Sequence, residues 1–475
     1  MSRVLAIDLG TSRVKVALVD VTLRVFAAAA EAYPTTVDQP GQAEQEPAHW
    51  LRAVAAATER VLDAESAVDA VVLTGQLPTL VAVDEAGHAQ GPAVTWQDSR
   101  ADALVEARLT AEERRRVAAV SGAPIDGRYV VPMHLRQAAE GAPEPATLLS
   151  AKDYLFLALT GTRATEPSTA SGYGALDVDA GRWSAELLAI WGVAEGLLPP
   201  VVDAHHVAPL AANTLTGVAP GTPVVVGAAD SVCAHHYITS CCGDGIAVID
   251  GSSTVIMTEL DAATPRPTDL LVTPLVAPGS RGVELDLLAT GSSLGWLAGL
   301  LHLTPSGLED LALAHPDPAG SAALALPYLA GGEQGALWRS DLTGTLAGLT
   351  LATTAQDLAW AIFEGIAFET VRCLNRLADG SRRVLAVSPP DSRHLRTAIV
   401  AAAWPGPVAA LAEASPSVLG AALIAFDALG VAVHPAPAAA VLPPNLGAAY
   451  LTAAAERMTR YFEAAPVLSA PPLRP

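Results

Sequence analysis

Lysine is almost absent from this chain: of the 28 basic residues among 475, only Lys15 and Lys152 are lysine. Arginine serves nearly everywhere a cation is wanted, so a position that keeps lysine points to a need for a compact ammonium rather than a planar fork. Two lysines retained without a role is the plain alternative. Cysteine is scarce too, with four residues, Cys233, Cys241, Cys242 and Cys373, which in a chain of this length, with no leader expected, is no disulfide framework. The segment CAHHYITSCC (233 to 242) mixes Cys and His but has no CxxC pair, and reads as a helix burying small thiols rather than a zinc site. Mean hydropathy is +0.35, yet alanine and valine supply much of it and no stretch of about 18 residues runs apolar without charges or turn signals. The N-terminus carries no apolar core followed by a small-residue cleavage site, so the expected location is cytoplasmic. Basic charge is short overall: 28 basic against 49 acidic residues give −21, which argues against nucleic acid and anionic membrane as partners. A phosphate-bearing ligand would need local neutralisation.

What is present is a long α/β pattern. The length exceeds the roughly 250 to 300 residues that one core supports, so two domains are expected. VLAIDLGTSRVKVALVD (4 to 20) is two β-branched runs joined at Gly10-Thr11-Ser12, a strand, tight turn and returning strand. IAVIDGSSTVIMTEL (246 to 260) repeats that grammar around Gly251-Ser252-Ser253, and an echo about half a chain away suggests two similarly built halves. The boundary is expected near Pro220-Gly221, giving domains 1–220 and 221–475. Between the hairpins lie a strand-like run at 71–84, an arginine-rich helix around 107–120 and a helix at 151–161. Further helices are expected at 357–378 and 417–430.

Glycine followed by hydroxyls at a strand turn lets backbone amides and Oγ atoms approach a phosphate closely, because no Cβ intervenes. Two such turns would grip a polyphosphate. Asp8, at the end of the first strand, suits Mg²⁺ held through water, and Lys15 on the returning strand can face phosphates. An ordinary β-turn accounts for either hairpin alone. VVVGAADS (224 to 231) delivers Asp230 through a small-residue turn at a strand-to-helix junction. A carboxylate there can act as general base on an attacking hydroxyl, or simply cap the helix.

In order along the chain, DLGTSRVKVALVD (8 to 20), QPGQAEQEPAHW (39 to 50), LTGQLPTLVAVDEAGHAQGPAVTWQDSR (73 to 100), AKDYLFLALTGTRATEPSTASG (151 to 172), VVVGAADS, DGSSTVIM (250 to 257), LPYLAGGEQGALW (326 to 338) and SVLGAALIA (417 to 425) resemble the FGGY carbohydrate kinases, of xylulokinase type. The resemblance covers nearly the whole chain. It implies two actin-like, ribonuclease-H-like domains flanking a deep cleft, the first binding sugar and the second nucleotide. It further implies that Asp230 is the catalytic base and Asp8 the metal-associated acid. Gly10, Thr11, Ser12 and Lys15 match the first phosphate loop and its lysine; Gly251, Ser252 and Ser253 match the second. Gln76, Leu77 and Pro78 fall in the sugar loop, with Trp96, Asp98 and Arg100 in a WxDxR block beside it. Lys152 also falls on a family lysine, where an ion pair with Asp153 is the simpler account.

Two departures stand out. The family's Gly-Gln-Met-His is here Gly75-Gln76-Leu77-Pro78, and proline offers no imidazole to a sugar hydroxyl, which argues against D-xylulose itself. The family's glycine-rich adenosine turn is here Ser388-Pro389-Pro390-Asp391-Ser392-Arg393, leaving Ser388 and Ser392 as its nucleotide-facing candidates. The GER-like block reads Gly332-Glu333-Gln334, without arginine. The expected activity is transfer of the ATP γ-phosphate to a hydroxyl of a small ketose or polyol, with ATP and Mg²⁺ required and no nucleic acid or membrane partner. A homodimer is one assembly left open. The rival reading is a sugar-binding regulator of the same fold with weakened ATP binding.

Overall fold

The computed structural model describes residues 2–62, 67–261, 266–267, 270–330, 333, 335–339, 341–378, 382–389, 391–411, 415–434 and 440–468. Gly332, Gln334 and Pro390 lie outside the described residues. The chain divides into two compact units: Met1–Cys241 with Glu259–Gly282 and Ser415–Ala436, and Cys242–Thr258 with Val283–Ala414 and Pro437–Pro475. The compact unit that contains Pro220 and Gly221 therefore runs on to Cys241, because the strand Pro223–Ala229 hydrogen-bonds within its sheet.

That sheet has six strands in the order Val207–Pro209, Pro223–Ala229, Ala70–Gly75, Arg3–Leu9, Arg13–Asp20, Val25–Ala32. The first three strands of the chain form an antiparallel meander, whereas Ala70–Gly75 and Pro223–Ala229 run parallel to Arg3–Leu9. Ala70–Gly75 is buried throughout and Pro223–Ala229 from Val224 onward, as continuous apolar runs covered on two faces should be. The expected strand run at 71–84 is two strands: Ala70–Gly75 belongs here, and after the turn Thr79–Val83 joins a smaller four-stranded sheet. The arginine-rich helix is also broken, into Asp102–Arg108 and Ala111–Ser121, since Thr110 caps the second with a reciprocal Glu113 bond that stops the first. Helices Ala151–Thr160 and Pro416–Ala428 match their expected positions and pack on the parallel strands.

In the second unit the strands Arg281–Leu287, Thr254–Glu259, Ile246–Asp250, Val384–Val387, Val408–Leu411 and Ala440–Val441 are successive neighbours. Here too a hairpin is followed by parallel strands, Val384–Val387 beside Ile246–Asp250 and then Val408–Leu411. The echo read from the two hairpins is thus an echo of sheet topology. Helix Ala355–Leu377, opened by a Thr354–Asp357 capping box, is buried over most of its length.

Candidate functional site

The register of the parallel strands brings Leu9, Gly75 and Ala229 into one row, so the residues that follow, Gly10, Gln76 and Asp230, leave the same edge of the sheet. The carboxyl ends of parallel strands are where open α/β sheets bind ligands. Asp230 begins the helix Asp230–Cys242, and its Oδ1 accepts the Ser231 amide at 2.8 Å, so it serves the helix N-terminus as well. Gly227 makes that placement: its φ is +69° and a Cβ there would sit 1.7 Å from the Leu73 carbonyl oxygen. The ladder slips between Val225 and Ala228, a bulge that only glycine allows at so close an approach.

Asp8 is 4% exposed and pairs across the hairpin with Lys15, whose Nζ is 3.9 Å from Asp8 Oδ2. Ser417 donates its hydroxyl to the same oxygen, while Asp8 Oδ1 is buried without a hydrogen-bond partner. Tyr33 donates its phenol to the Gly10 carbonyl and so pins the first glycine turn. Burial, then the negative charges of Asp8 and Asp230, push the Tyr33 phenol up, so both carboxylates bear on one ring. Thr11 is fixed from two sides: Gln45 Nε2 donates to its carbonyl at 2.6 Å and Trp96 Nε1 to its Oγ1 at 3.0 Å. Ser12 is exposed at the tip.

Gln76 is buried, donates to Gln45 Oε1 at 3.1 Å, and keeps its own Oε1 without a partner. Leu77 and Pro78 are half-buried, and Pro78 lies against Gly172. Asp98 is spent internally: it accepts the Ala43 amide at 3.0 Å and the Arg100 guanidinium, which also reaches Glu44. Arg100 is thereby positioned as a brace for the loop that presents Trp96. Sequence reasoning missed Gln45, Tyr33 and Ser417; the first and the last lay in quoted blocks, but their contacts depend on distant partners.

In the second unit, Gly251 turns the hairpin by donating to the Ser253 carbonyl at 2.8 Å, and Ser252 is exposed. The Ser252 carbonyl accepts the amides of Thr290 and Ser292, seating the start of helix Gly291–Leu300 on the loop. A Cβ at Gly291 would lie 2.1 Å from the Gly251 oxygen, so glycine is required for that approach. Asp250 is saturated by Ser388 Oγ at 2.8 Å, Arg396 Nη2 at 2.9 Å and Thr254 Oγ1 at 2.9 Å. Ser392 donates to Glu309 Oε1 at 3.2 Å, so both serines of the altered turn are engaged internally. Glu309 also accepts the amides of Arg393 and Leu395, each at 2.8 Å.

Comparison with known proteins agrees with this layout. Residues 3–235 match the N-terminal domain, and 246–429 the C-terminal domain, of the FGGY family of carbohydrate kinases. The chain is 28% identical over 382 residues to an apulose kinase from Pectobacterium atrosepticum, covering 77% of this chain and 76% of that one. It is 26% identical over 407 residues to a xylulose kinase from Bacillus subtilis, covering 82% and 80%. The structure of a ligand-bound xylulose kinase from Lactobacillus acidophilus superposes with a TM-score of 0.85 over 99% of both chains at 22% identity, a likeness of fold. With two actin-like, ribonuclease-H-like α/β domains and both family domains matched over most of its length, the chain belongs to the FGGY family of carbohydrate kinases, which transfer phosphate from ATP to a sugar.

Proposed function

We propose that the chain phosphorylates a primary hydroxyl of a small ketose or polyol, with Asp230 as general base. The observation that carries this reading is the shared edge at which Gly10, Gln76 and Asp230 follow the Leu9–Gly75–Ala229 row. It supports a phosphate turn, a sugar-facing amide and a carboxylate base within one constellation. Asp230 would take the proton of the attacking hydroxyl as that oxygen bonds to the γ-phosphorus, and the bond from phosphorus to the β-γ bridging oxygen breaks to release ADP. Gln76, with its open Oε1, would accept a sugar hydroxyl, and Leu77, Pro78 and Trp96 would form apolar walls.

Gly10, Thr11, Ser12 and Lys15, with Gly251, Ser252 and Ser253, are assigned to the phosphates. The fit to Mg²⁺ rests on Asp8: its orphaned, buried Oδ1 is an oxygen acceptor suited to a metal-bound water. When bound, the ion would neutralise charge developing on the phosphates. The portions 1–220 and 221–475 are proposed as the sugar and nucleotide portions, with the stretch up to Cys241, and so Asp230, going with the first because it belongs to that compact unit. A cytoplasmic enzyme fits the −21 charge and the absence, among the described residues, of any helix long and apolar enough to cross a membrane. The same charge argues against nucleic acid as a partner, and a homodimer stays a proposal for sedimentation to decide.

The apulose and xylulose named for the two relatives are ketoses, while Pro78 removes the imidazole that a xylulose-type loop would offer. A coupled ADP-release screen over ketoses, polyols and sugar acids tests the reading. The expected result is turnover on a ketose or polyol with a terminal hydroxymethyl group. Turnover confined to sugar acids would overturn the acceptor class, and sugar binding without turnover on any of them would favour the regulatory rival.

A further inference from the structure

We propose that the buried chain Lys152–Glu166–Ser168 is a positioning device for Asp230, holding the strand end from which the base projects. This rests on the reading of Asp230 as the base. The bulge at Gly227 leaves Val226 and Gly227 out of the ladder with the neighbouring strand, and their amides donate to the carbonyls of His206 and Ala204. Ala229, the last residue before Asp230, donates its amide to a side chain: Ser168 Oγ, at 3.0 Å. The strand end is therefore fixed by whatever fixes Ser168.

Ser168 has one hydroxyl proton to donate, and the Glu166 carboxylate accepts that hydrogen bond, with both oxygens 2.8 Å from Oγ. That turns a lone pair of Ser168 toward the Ala229 amide. Glu166 is held in turn by the amides of Ser168 and Thr169, each at 2.8 Å, as the cap of helix Pro167–Ser171. Behind it lies Lys152, whose Nζ is 3.7 Å from Glu166 Oε1 and 2.8 Å from Asp153 Oδ1. None of Lys152, Asp153, Glu166 and Ser168 is more than 2% exposed. Burial alone would pull the Lys152 ammonium down, but Asp153 and Glu166 hold it up and charged.

A buried ion cluster is weak evidence for stability, since apolar packing often serves as well or better. What this one supplies is direction. One end is a fixed cation and the other a hydrogen bond to the residue adjoining the base. The site also explains why lysine survives in an arginine-rich chain. At 1% exposure a single compact ammonium serves two carboxylates, Asp153 and Glu166. A base must sit within hydrogen-bond reach of its proton, and a misplacement of about 1 Å costs on the order of 10² in rate.

The test compares Ser168→Ala, Lys152→Met and Asp230→Asn with the unaltered enzyme on its best sugar. Ser168→Ala removes the acceptor of the Ala229 amide and the hydroxyl donated to Glu166, while the backbone amides of Ser168 and Thr169 still hold that carboxylate. The expected result is a kcat lower by about 10- to 100-fold with both KM values within about two-fold, and an unfolding midpoint close to the unaltered enzyme's. Lys152→Met should lose at least as much kcat; should it fail to fold, Ser168→Ala decides alone. An unchanged kcat in Ser168→Ala, or a loss appearing in sugar KM instead, overturns the positioning role. Asp230→Asn separates the two ideas. If it retains turnover, the base itself is misassigned. If it is inactive while Ser168→Ala is fully active, only the positioning device fails.

Discussion

Ser417 donates to Asp8 Oδ2 at 2.7 Å across 409 positions of the chain, so the end of the first strand is completed by a helix near the C-terminus. The bond orients the carboxylate and leaves Oδ1 as its open acceptor. If that oxygen serves Mg²⁺ and phosphate, Asp8→Ala should weaken metal-dependent turnover far more than sugar binding. Ser417→Ala should act in the same direction but more mildly, by about 10- to 100-fold in apparent Mg²⁺ affinity, as for other residues that orient a metal-associated carboxylate. Sugar affinity is followed by calorimetry without nucleotide. A collapse of that affinity in Asp8→Ala, with the magnesium dependence of the residual activity intact, would mean that Asp8 serves the sugar.

Asp230→Asn should abolish turnover with little effect on the fold. The amide keeps the shape and still accepts the Ser231 amide, but it cannot take a proton. Removing a general base typically costs about 10² to 10⁴ in rate. Steady-state kinetics on the best sugar, alongside far-ultraviolet circular dichroism, gives the answer, and a variant within a few-fold of the unaltered enzyme refutes the assignment.

The two hairpins, the α/β class and the strand-to-helix junction at Asp230 were legible because they rest on local signals: β-branched runs, glycine turns and a small-residue strand end. The Gly227 bulge was not legible, since its glycine is required by a carbonyl of a strand some 150 positions earlier, Leu73. The same holds for Ser417 on Asp8 and Ser168 on Ala229, where a common residue gains its role only from register. Asp98 and Arg100 were found by their motif, but only the structure gives them a bracing role. Lys152 was read as a pair with Asp153. The second carboxylate, Glu166, comes from a separate helix cap and left no charge pattern in the sequence.

Stability should fall between pH about 6.5 and about 4, in part through His236. This imidazole lines a cavity of about 450 Å³ with His205, His235, Glu259 and Asp427. Burial, then His205, pushes it down to about 4, although Asp427 opposes them. Its folded value thus lies below its unfolded value of about 6.5, so the unfolded chain binds the proton more readily across that window. The stabilisation is complete above pH 6.5 and is lost as pH falls toward 4. Urea midpoints at intervals from pH 7.5 to 4.5 should decline, and His236→Gln, which cannot titrate, should decline less. Identical slopes for the two proteins would remove His236 from the account.

The nucleotide turn yields the last prediction. A helix N-terminus offers unpaired amides to a phosphate, but at the start of the helix Leu395–Ala403 the amides of Arg393 and Leu395 already donate to Glu309. Asp391 adds an exposed negative charge, and Pro389 adds bulk and removes an amide where the FGGY pattern has glycine. Each of these opposes binding of an anionic nucleotide. Ser388 is different: its bond to Asp250 ties the turn to the second hairpin, so it should be kept. Replacing Pro389–Asp391 by Gly-Gly-Ala is therefore expected to tighten ATP by about tenfold, or ~1.4 kcal/mol, with sugar affinity unchanged. Rigid prolines can also shape a different base pocket, so guanosine, cytidine and uridine triphosphates belong in the same titration. Tighter binding of one of these by the unaltered protein, lost on replacement, would make the turn a selector of the base rather than a defect. Equal and tight ATP binding by both forms would show that the amides held by Glu309 were never the nucleotide's to use.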